Sequence, residues 1–539
     1  MKARVENGIV YSPFPDQEIP CCSFYEAVKK ALMIDPDKPI LADDSITLTK
    51  RELLSRLQRY AAGFQRYGIG PGARICIHIG NSVESIIAMW SCVVAGASIV
   101  LAKPSLTENE LLYQATDSDS THLLVDPDLS EKAKNVASAL GVKGFVTAGE
   151  DRGDFVSTSA FLNIAETEFQ ETTIEDVREC VLCILYTSGT TGLPKGAELT
   201  HYALLANIGM SRLTFPHDDS DVVLLPTPIT HGSGLLYITI SVLLGTKTVV
   251  MTPNASLEQV ISAVSKHKAT AAVFLPWHLQ YLVGEMQRTN RRIKGLRCVS
   301  TGGSTLTEPQ YDAAREAFGC ELECLANVYG MTESLCLLCS PSLKAAVGND
   351  IGFPAPMTQI KIVDRLTDRR LGPNLTGEIR YRVPTVMKSY YKRPRETKEF
   401  FDSEGWCKSG DAGYYDEEGR IHFVQRFKEM IKCMDNQVVP ASLEEILLKA
   451  HYHEVLDVCV VGIPNPKFGE APAAVVVPRN KNNALPDLAK RIKSTIVENC
   501  AAHNHLYGGV FFADFLPKTE SGKTNRTAVL QECGQLTAY

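Results

Sequence analysis

The sequence predicts an α/β protein in which a large N-terminal region of α/β units precedes a smaller α+β unit, and three observations carry that prediction. A chain of 539 residues exceeds what one hydrophobic core organises. From about residue 40 onward, short apolar runs of β type alternate with amphipathic runs of helical period, as in parallel sheets flanked by helices. After residue 426 the texture changes to a helix–strand–strand–helix–strand order spanning about a hundred residues, a common domain size.

The first clear unit is Arg74-Ile75-Cys76-Ile77-His78-Ile79, whose apolar and polar residues alternate as in a strand. Residues 82–90 then carry helical period, with Asn81 and Ser82 both suited to cap the helix. Later strand expectations are Val222–Leu225, 248–251, 271–275 and 297–300, each ending in Gly, Pro or polar loop residues. In open α/β sheets ligand loops lie at the carboxyl ends of strands, so motifs just after such runs stand where chemistry occurs. Between residues 360 and 383, alternating runs with turns at Leu371-Gly372-Pro373-Asn374 and Thr376-Gly377 predict a local β-meander or a small β-barrel-like part. In the last unit, residues 442–450 after Pro440 predict a helix, 455–463 and 473–477 strands, Leu485–Asn499 a helix and 509–515 a strand. No internal repeat or low-complexity tract is evident.

Composition narrows the class. With 55 Lys and Arg against 62 Asp and Glu, a charge of −7 and 45% hydrophobic residues, the chain has the profile of an ordinary globular protein. No basic run and no interleaving of aromatics with Lys and Arg supplies a base-stacking groove, which excludes nucleic acid as a partner. The apolar stretches 89–102 and 235–251 are too short, or too interrupted by Lys247, to span a bilayer. Met1-Lys2-Ala3-Arg4 meets no apolar signal core and Thr537-Ala538-Tyr539 is not a peroxisomal address, so a cytoplasmic location is expected. The 16 cysteines are then expected as reduced thiols. Two Cys-x-x-Cys spacings, Cys180/Cys183 and Cys336/Cys339, invite a zinc reading, but residues 180–186 form an unbroken apolar run without the polar turn of a zinc knuckle. Buried thiols serving as small hydrophobes are expected there.

The segment Tyr186-Thr187-Ser188-Gly189-Thr190-Thr191-Gly192-Leu193-Pro194-Lys195-Gly196 follows that buried run and brings three glycines, four serine and threonine hydroxyls and a lysine into eleven residues. Such a loop wraps a polyphosphate: glycines allow close backbone approach, N–H groups and hydroxyls donate to phosphate oxygens, and Lys195 adds a point charge. It is not a Walker A loop, because Gly196 follows the lysine and the glycine spacing differs.

The segment resembles the phosphate loop of the adenylate-forming superfamily of acyl-CoA synthetases, 4-coumarate:CoA ligases and insect luciferases. Further blocks resemble that family in its order and spacing, from about residue 7 to residue 530. Tyr329-Gly330-Met331-Thr332-Glu333 is similar to its second signature, which implies adenine stacking on Tyr329, a Thr332 hydroxyl to the α-phosphate and Mg²⁺ held by Glu333; Asn327 and Val328 precede it at the ATP site. Gly405-Trp406-Cys407-Lys408-Ser409-Gly410-Asp411 followed by Arg426 resembles the ribose-binding region, so Asp411 accepts from the ribose hydroxyls and Arg426 assists. Pro517-Lys518-Thr519-Glu520-Ser521-Gly522-Lys523 resembles the segment of the mobile lysine. Lys523 would bridge carboxylate and α-phosphate, two anions that otherwise repel. Thr301-Gly302-Gly303-Ser304-Thr305-Leu306 is similar to the loop lining the adenine and acyl sites, and His231-Gly232 to a step in the acyl-pocket wall, with Ser233, Gly303 and Met331 beside it.

The resemblance also implies a division into an N-terminal adenylation domain, residues 1–427, and a smaller mobile α+β C-terminal domain, residues 428–539, hinged at Lys428. Domain rotation about this hinge would exchange an adenylation face for a thioester-forming face. The implied co-substrates are ATP and coenzyme A (CoA), with Mg²⁺ required and a small-molecule carboxylic acid as the partner.

Two departures stand out. Where the family reads Ile-Lys-x-Lys-Gly-[Tyr/Phe]-Gln, this chain has Ile431-Lys432-Cys433-Met434-Asp435-Asn436-Gln437, which keeps Lys432 but places Met434 and Asp435 at positions expected to meet CoA. An acidic side chain there repels phosphates, so adenylation is better supported than thioester formation. Gln425 replaces the Asp or Gly usual before Arg426. The expected function is an acid–thiol ligase acting on a fatty or aromatic acid. Luciferase-like oxidation of the adenylate, adenylation with little CoA use, and a silent nucleotide-binding protein are the alternatives, the last disfavoured by Lys195, Glu333, Asp411 and Lys523 together. Ser233 and Gly234, with small side chains, suggest room for the acyl group.

Overall fold

The alternating runs assemble into two mixed, mainly parallel sheets, whose carboxyl edges carry the loops singled out above. In the computed structural model the described residues are 1–187, 193–214, 218–304, 306–335, 337–340, 350–434, 436–480, 485–519 and 523–539. The first sheet has eight strands in the order Ser389–Tyr390, Lys195–Thr200, Val181–Thr187, Ser98–Leu101, Arg74–His78, His122–Val125, Lys143–Val146 and Phe155–Ser157. Val181–Thr187 pairs parallel with Ser98–Leu101 and antiparallel with Lys195–Thr200, with Thr187 opposite Lys195. The second sheet has seven strands, Cys324–Val328, Cys298–Gly302, Ala271–Val273, Val222–Leu225, Lys247–Val250, Pro39–Ala42 and Thr47–Thr49, parallel except at the Thr47–Thr49 edge.

The two apolar stretches too short for a bilayer are core elements. Residues 89–102 cover the end of helix Val83–Val94 and strand Ser98–Leu101; residues 235–251 cover helix Gly232–Leu244, a left-handed Gly245 and strand Lys247–Val250. In helix Val83–Val94 every residue but Glu84 is buried, as expected of a helix apolar on nearly all faces and enclosed by other layers. No helix among the described residues is long and apolar enough to cross a membrane. Ser82 caps this helix by accepting from the Ser85 N–H. Asn81 does something else. Its Nδ2 donates to the Thr227 and Met251 carbonyls, both at 2.9 Å, and its Oδ1 accepts from Ile229 N at 3.0 Å, clasping the carboxyl edges of the two sheets together.

The run predicted as 271–275 ends as a strand at Val273, because Pro276 at the first turn starts helix Pro276–Thr289. The part expected as a meander or small barrel is an antiparallel sheet of eight strands that includes Gln359–Val363, Gly377–Arg382, Cys407–Tyr415 and Ile421–Arg426. Its end strands, Arg4–Glu6 and Cys339–Ser340, do not pair with each other among the described residues, so the meander is present and the barrel is not closed.

A fourth sheet of five strands, Asn436–Val438, Ile431–Cys433, Gly469–Pro478, Val455–Asn465 and Gly509–Phe512, packs against helices Pro440–Ala450, Leu485–Asn499 and Arg526–Cys533. Hydrophobic clusters of its own lie on its two faces, around Leu443, Val460 and Ile492 on one and Cys459, Val475 and Val529 on the other. The predicted helix 442–450 begins two residues earlier because Pro440 suits a first helical position.

Candidate active site

Strands Cys298–Gly302 and Cys324–Val328 run parallel in register, with Thr301 opposite Asn327 and Gly302 opposite Val328. Their following loops therefore leave the sheet side by side. The first carries Gly303 and Ser304, the second Tyr329 and Gly330, and both line one cleft that opens to solvent. Each glycine has its own reason. A Cβ on Gly302 would lie 2.9 Å from the Val328 carbonyl oxygen, whereas Gly303 has φ +95° and faces open space, so it presents bare backbone to the cleft.

The antiparallel sheet supplies the opposite wall. Asp411 and Arg426 are register partners on Cys407–Tyr415 and Ile421–Arg426, and Arg426 Nε lies 3.0 Å from Asp411 Oδ1. The Tyr329 hydroxyl donates to Asp411 Oδ2 at 2.7 Å, while its ring centroid lies 6.0 Å from that of Phe423. Asp411 is buried, and its Oδ1, although close to the guanidinium, has no aligned hydrogen-bond donor. A buried carboxylate oxygen of this kind is an acceptor waiting for a hydroxyl. Burial raises the Asp411 pKa, although Arg426, the Tyr329 hydroxyl and Lys523 work against the rise.

Lys523 reaches the same cleft from the fourth sheet's side. Its side chain stays exposed at the cleft mouth; desolvation by the surrounding protein, followed by the positive Arg426, lowers its pKa. Nine of the residues expected at the ATP site, Gly303, Ser304, Asn327, Val328, Tyr329, Gly330, Asp411, Arg426 and Lys523, share this lining with Ile351 and Phe423, which carried no motif.

Other expected residues stand outside that lining. Thr187 and Lys195 face each other at the ends of two strands of the first sheet, and Ser188, Gly189, Thr190, Thr191 and Gly192, which connect them, lie outside the described residues. Thr332 and Glu333 open a short 3-10 turn, Thr332–Ser334, directly after the second cleft loop. The buried Glu333 carboxylate accepts from the Tyr390 hydroxyl at 2.6 Å, and the Lys195 ammonium lies 4.7 Å from the centre of the same tyrosine ring. Tyr390, which sequence reasoning passed over, thus joins the phosphate-loop lysine to the expected metal ligand. Among the described residues no group of three or more His, Cys, Asp and Glu is gathered to hold a metal. A single fixed carboxylate fits Mg²⁺, which takes one or two carboxylates and completes its shell with phosphate oxygens and water.

His231 caps helix Gly232–Leu244. Its Nδ1 accepts from Ser233 N at 3.3 Å and lies 2.8 Å from Ser233 Oγ, which places the proton on Nε2. Burial, then the positive Lys103 and Lys523, push its pKa down to about 3, so the imidazole is neutral. Gly232 and Gly234 are buried in the same helix, and the expectation that Gly234 leaves acyl room fails: a Cβ there would lie 1.9 Å from the Pro228 carbonyl oxygen, so backbone fills the space. Met331 accepts from the Tyr381 hydroxyl at its sulfur, 3.0 Å away.

Lys428, the expected hinge, is exposed in the 3-10 turn Phe427–Glu429 that joins the antiparallel sheet to the fourth sheet. Lys432 is exposed on Ile431–Cys433, and Met434, at φ +53°, forms the turn of the hairpin Ile431–Cys433/Asn436–Val438. Neither lines the cleft. Asp435 lies outside the described residues.

A profile described as AMP-binding enzyme matches residues 28–391, and one described as AMP-binding enzyme C-terminal domain matches residues 442–523. The chain belongs to the AMP-binding enzyme family. Among other AMP-binding enzymes, a 4-coumarate–CoA ligase of Vanilla planifolia is 30% identical over 90% of this chain and 88% of its own. A luciferin 4-monooxygenase of Nipponoluciola cruciata is 28% identical over 86% of this chain and 85% of its own. The solved structure of o-succinylbenzoate–coenzyme A synthetase from Bacillus subtilis, in complex with AMP, has a TM-score of 0.78 at 26% identity, covering 93% of this chain and 97% of that one. An amide bond synthetase from Marinactinospora thermotolerans shares the fold, with a TM-score of 0.82 at 21% identity over 94% and 99%. Because the sequence relatives divide between a CoA ligase and a luciferin monooxygenase, membership makes the chain an adenylate-forming enzyme and leaves the acyl acceptor open.

Proposed function

We propose that this enzyme activates a carboxylic acid with ATP to give an acyl-adenylate and pyrophosphate, and then passes the acyl group to CoA. The observation that carries the reading is the cleft in which Gly303 and Tyr329 after two strands of the second sheet, Asp411 and Arg426 on the antiparallel sheet, and Lys523 from the loop before helix Arg526–Cys533 face one another. Asp411 accepts the ribose hydroxyls through its open Oδ1, and the Tyr329 ring, braced by its bond to Asp411, bears on the adenine. Lys195 and the Thr332 hydroxyl hold phosphate oxygens. Mg²⁺, bound with the triphosphate at Glu333, would neutralise charge on the leaving pyrophosphate.

Lys523 sits between the substrate carboxylate and the α-phosphate. A carboxylate oxygen attacks the α-phosphorus as the bond to the bridging oxygen breaks, and the positive lysine stabilises the charge that develops between them. In the second step the CoA thiolate attacks the acyl carbonyl, and AMP leaves. His231, neutral and fixed by its cap, serves as a wall of the acyl site with Gly232 and Ser233, beside Met331 and Gly303. The substrate class is a fatty or aromatic acid.

One reading differs only in the acceptor. Met434, at a hairpin turn, and Asp435, next in the sequence, stand where the resemblance puts CoA-binding lysine and glycine, which supports adenylation with little CoA use. A single experiment covers both: Mg-ATP is supplied with a panel of aromatic and fatty acids, pyrophosphate release is measured with and without CoA, and products are identified by mass spectrometry. Acid-dependent pyrophosphate together with acyl-CoA is the expected result. Pyrophosphate without acyl-CoA selects the second reading, and no pyrophosphate with any acid removes both.

A further inference from the structure

Helix Pro440–Ala450 lacks a cap of its own, since its N-cap residue is Val439 and no side chain there accepts from its first turn. The missing acceptor comes from across the hinge. Gln425, buried on strand Ile421–Arg426, accepts from Ala441 N at 3.1 Å through Oε1 and donates from Nε2 to the Glu429 carbonyl at 3.3 Å. Because Ala441 N can only donate, this orientation of the amide is the one that satisfies both contacts.

The contacts continue to the cleft lysine. Glu444, one turn along the same helix, takes a two-pronged bond from Arg526, Nη1 to Oε1 at 2.6 Å and Nη2 to Oε2 at 3.0 Å, and Arg526 Nε lies 3.8 Å from the Glu429 carboxylate. Lys523 is three residues before Arg526. At the other end, Gln425 is the chain neighbour of Arg426, which pairs with Asp411 in the cleft wall. One path of hydrogen bonds, ion pairs and chain neighbours therefore runs from the ribose side of the cleft, through the hinge turn and the uncapped helix, to the segment that delivers Lys523.

We propose that Gln425 is a positioning residue for adenylation, acting as a tie across the hinge that seats helix Pro440–Ala450 and, through Glu444 and Arg526, holds Lys523 in the cleft. The proposal rests on the acid-activating reading above. It adds to that reading a residue that touches no substrate.

The test compares Gln425→Met, which keeps the length of the side chain and removes both hydrogen bonds, with the parent enzyme. The kcat for acid-dependent pyrophosphate release is expected to fall roughly tenfold while the KM for ATP stays within about twofold, since the ribose carboxylate is untouched. A double variant, Gln425→Met with Val439→Ser, gives the helix a local cap. It is expected to regain thermal stability and to remain slow. Full recovery of kcat in the double variant, an unchanged kcat in the single one, or a loss carried by KM alone overturns the proposal. Trypsin reads the tie without catalysis: cleavage after the exposed Lys428 is expected to be several-fold faster in Gln425→Met, and equal cleavage rates overturn the proposal as well. If the parent protein releases no pyrophosphate with any acid, the acid-activating reading falls, and the trypsin comparison still decides whether Gln425 ties the hinge.

Discussion

Charge placement at single residues governs what the cleft can do. Among the described residues that line the cleft Lys523 carries the one ammonium, so on the proposed reading its removal takes away the charge that joins two anionic reactants. Lys523→Ala is expected to slow pyrophosphate release by roughly 10²–10³-fold, the range for loss of one transition-state donor, with ATP binding by calorimetry nearly unchanged. Because desolvation and Arg426 lower its pKa from the ordinary 10.5, the active ammonium is lost at lower pH than in a free lysine. The pH profile of pyrophosphate release should carry a basic limb below that value, and Lys523→Arg should move the limb upward. Tyr390 acts on two groups at once, its hydroxyl on Glu333 and its ring beneath Lys195. Tyr390→Phe keeps the ring and frees the Glu333 carboxylate to turn; a several-fold rise in the Mg²⁺ concentration needed for half-maximal rate is expected, with little change in fold stability.

At the scale of elements, close packing decides where the site loops can stand. Gly234 lets helix Gly232–Leu244 approach the 228–229 backbone, and Gly234→Ala forces the helix start, with His231 on it, to shift. A loss of about 1–3 kcal/mol by denaturant unfolding is expected, accompanied by a raised KM for the acid. The antiparallel sheet has a buried ionic centre: Lys361 Nζ lies 2.9 Å from Asp402 Oδ2, and Arg380 Nη1 donates to the same oxygen at 3.1 Å. Burial would raise the Asp402 pKa, but Lys361, the Trp406 N–H and Arg380 hold it down at about 2 from the usual 3.8. A depressed carboxylate stabilises the fold above its unfolded pKa, so a contribution of about 2 kcal/mol is complete above pH 4 and disappears as the pH falls toward 2. Unfolding measured between pH 6 and pH 2 should show this loss in the parent and a flatter dependence in Asp402→Asn.

Much of this was legible in residues whose chemistry is local. Glycine, hydroxyl and charge clustered in short blocks, and those blocks predicted most of the cleft lining before any geometry was known. Tyr390 escaped because its role depends on strand Ser389–Tyr390 pairing with Lys195–Thr200, a contact between distant segments that leaves no mark on Ser389-Tyr390-Tyr391 itself. Gly234 misled for the opposite reason: a missing side chain reads as room, and only packing reveals that Pro228 fills it. Helix Arg526–Cys533 was not predicted, since its stability comes from the Asn525 cap and the Arg526–Glu444 pair rather than from an apolar stripe.

For the whole molecule, the cleft draws its walls from separately packed parts, the second sheet, the antiparallel sheet and the segment carrying Lys523, so a ligand that fills it couples their stabilities. AMP is the simplest probe, because it needs no knowledge of the acid. A ligand that binds only the folded state stabilises it by RT ln(1 + [L]/Kd), about 4 kcal/mol at a thousandfold excess over Kd. The Tm should therefore climb with the logarithm of AMP concentration and keep climbing after the site is saturated. Asp411→Asn keeps the size of the side chain while exchanging the carboxylate proposed to face the ribose for an amide, so it should move the onset of this climb to about tenfold or more higher AMP, as expected for losing a charged hydrogen-bond acceptor. Heating followed by calorimetry across an AMP series reads both curves. Coincident curves for parent and variant would place the ribose elsewhere, and a Tm that ignores AMP in the parent would remove the nucleotide from this cleft altogether.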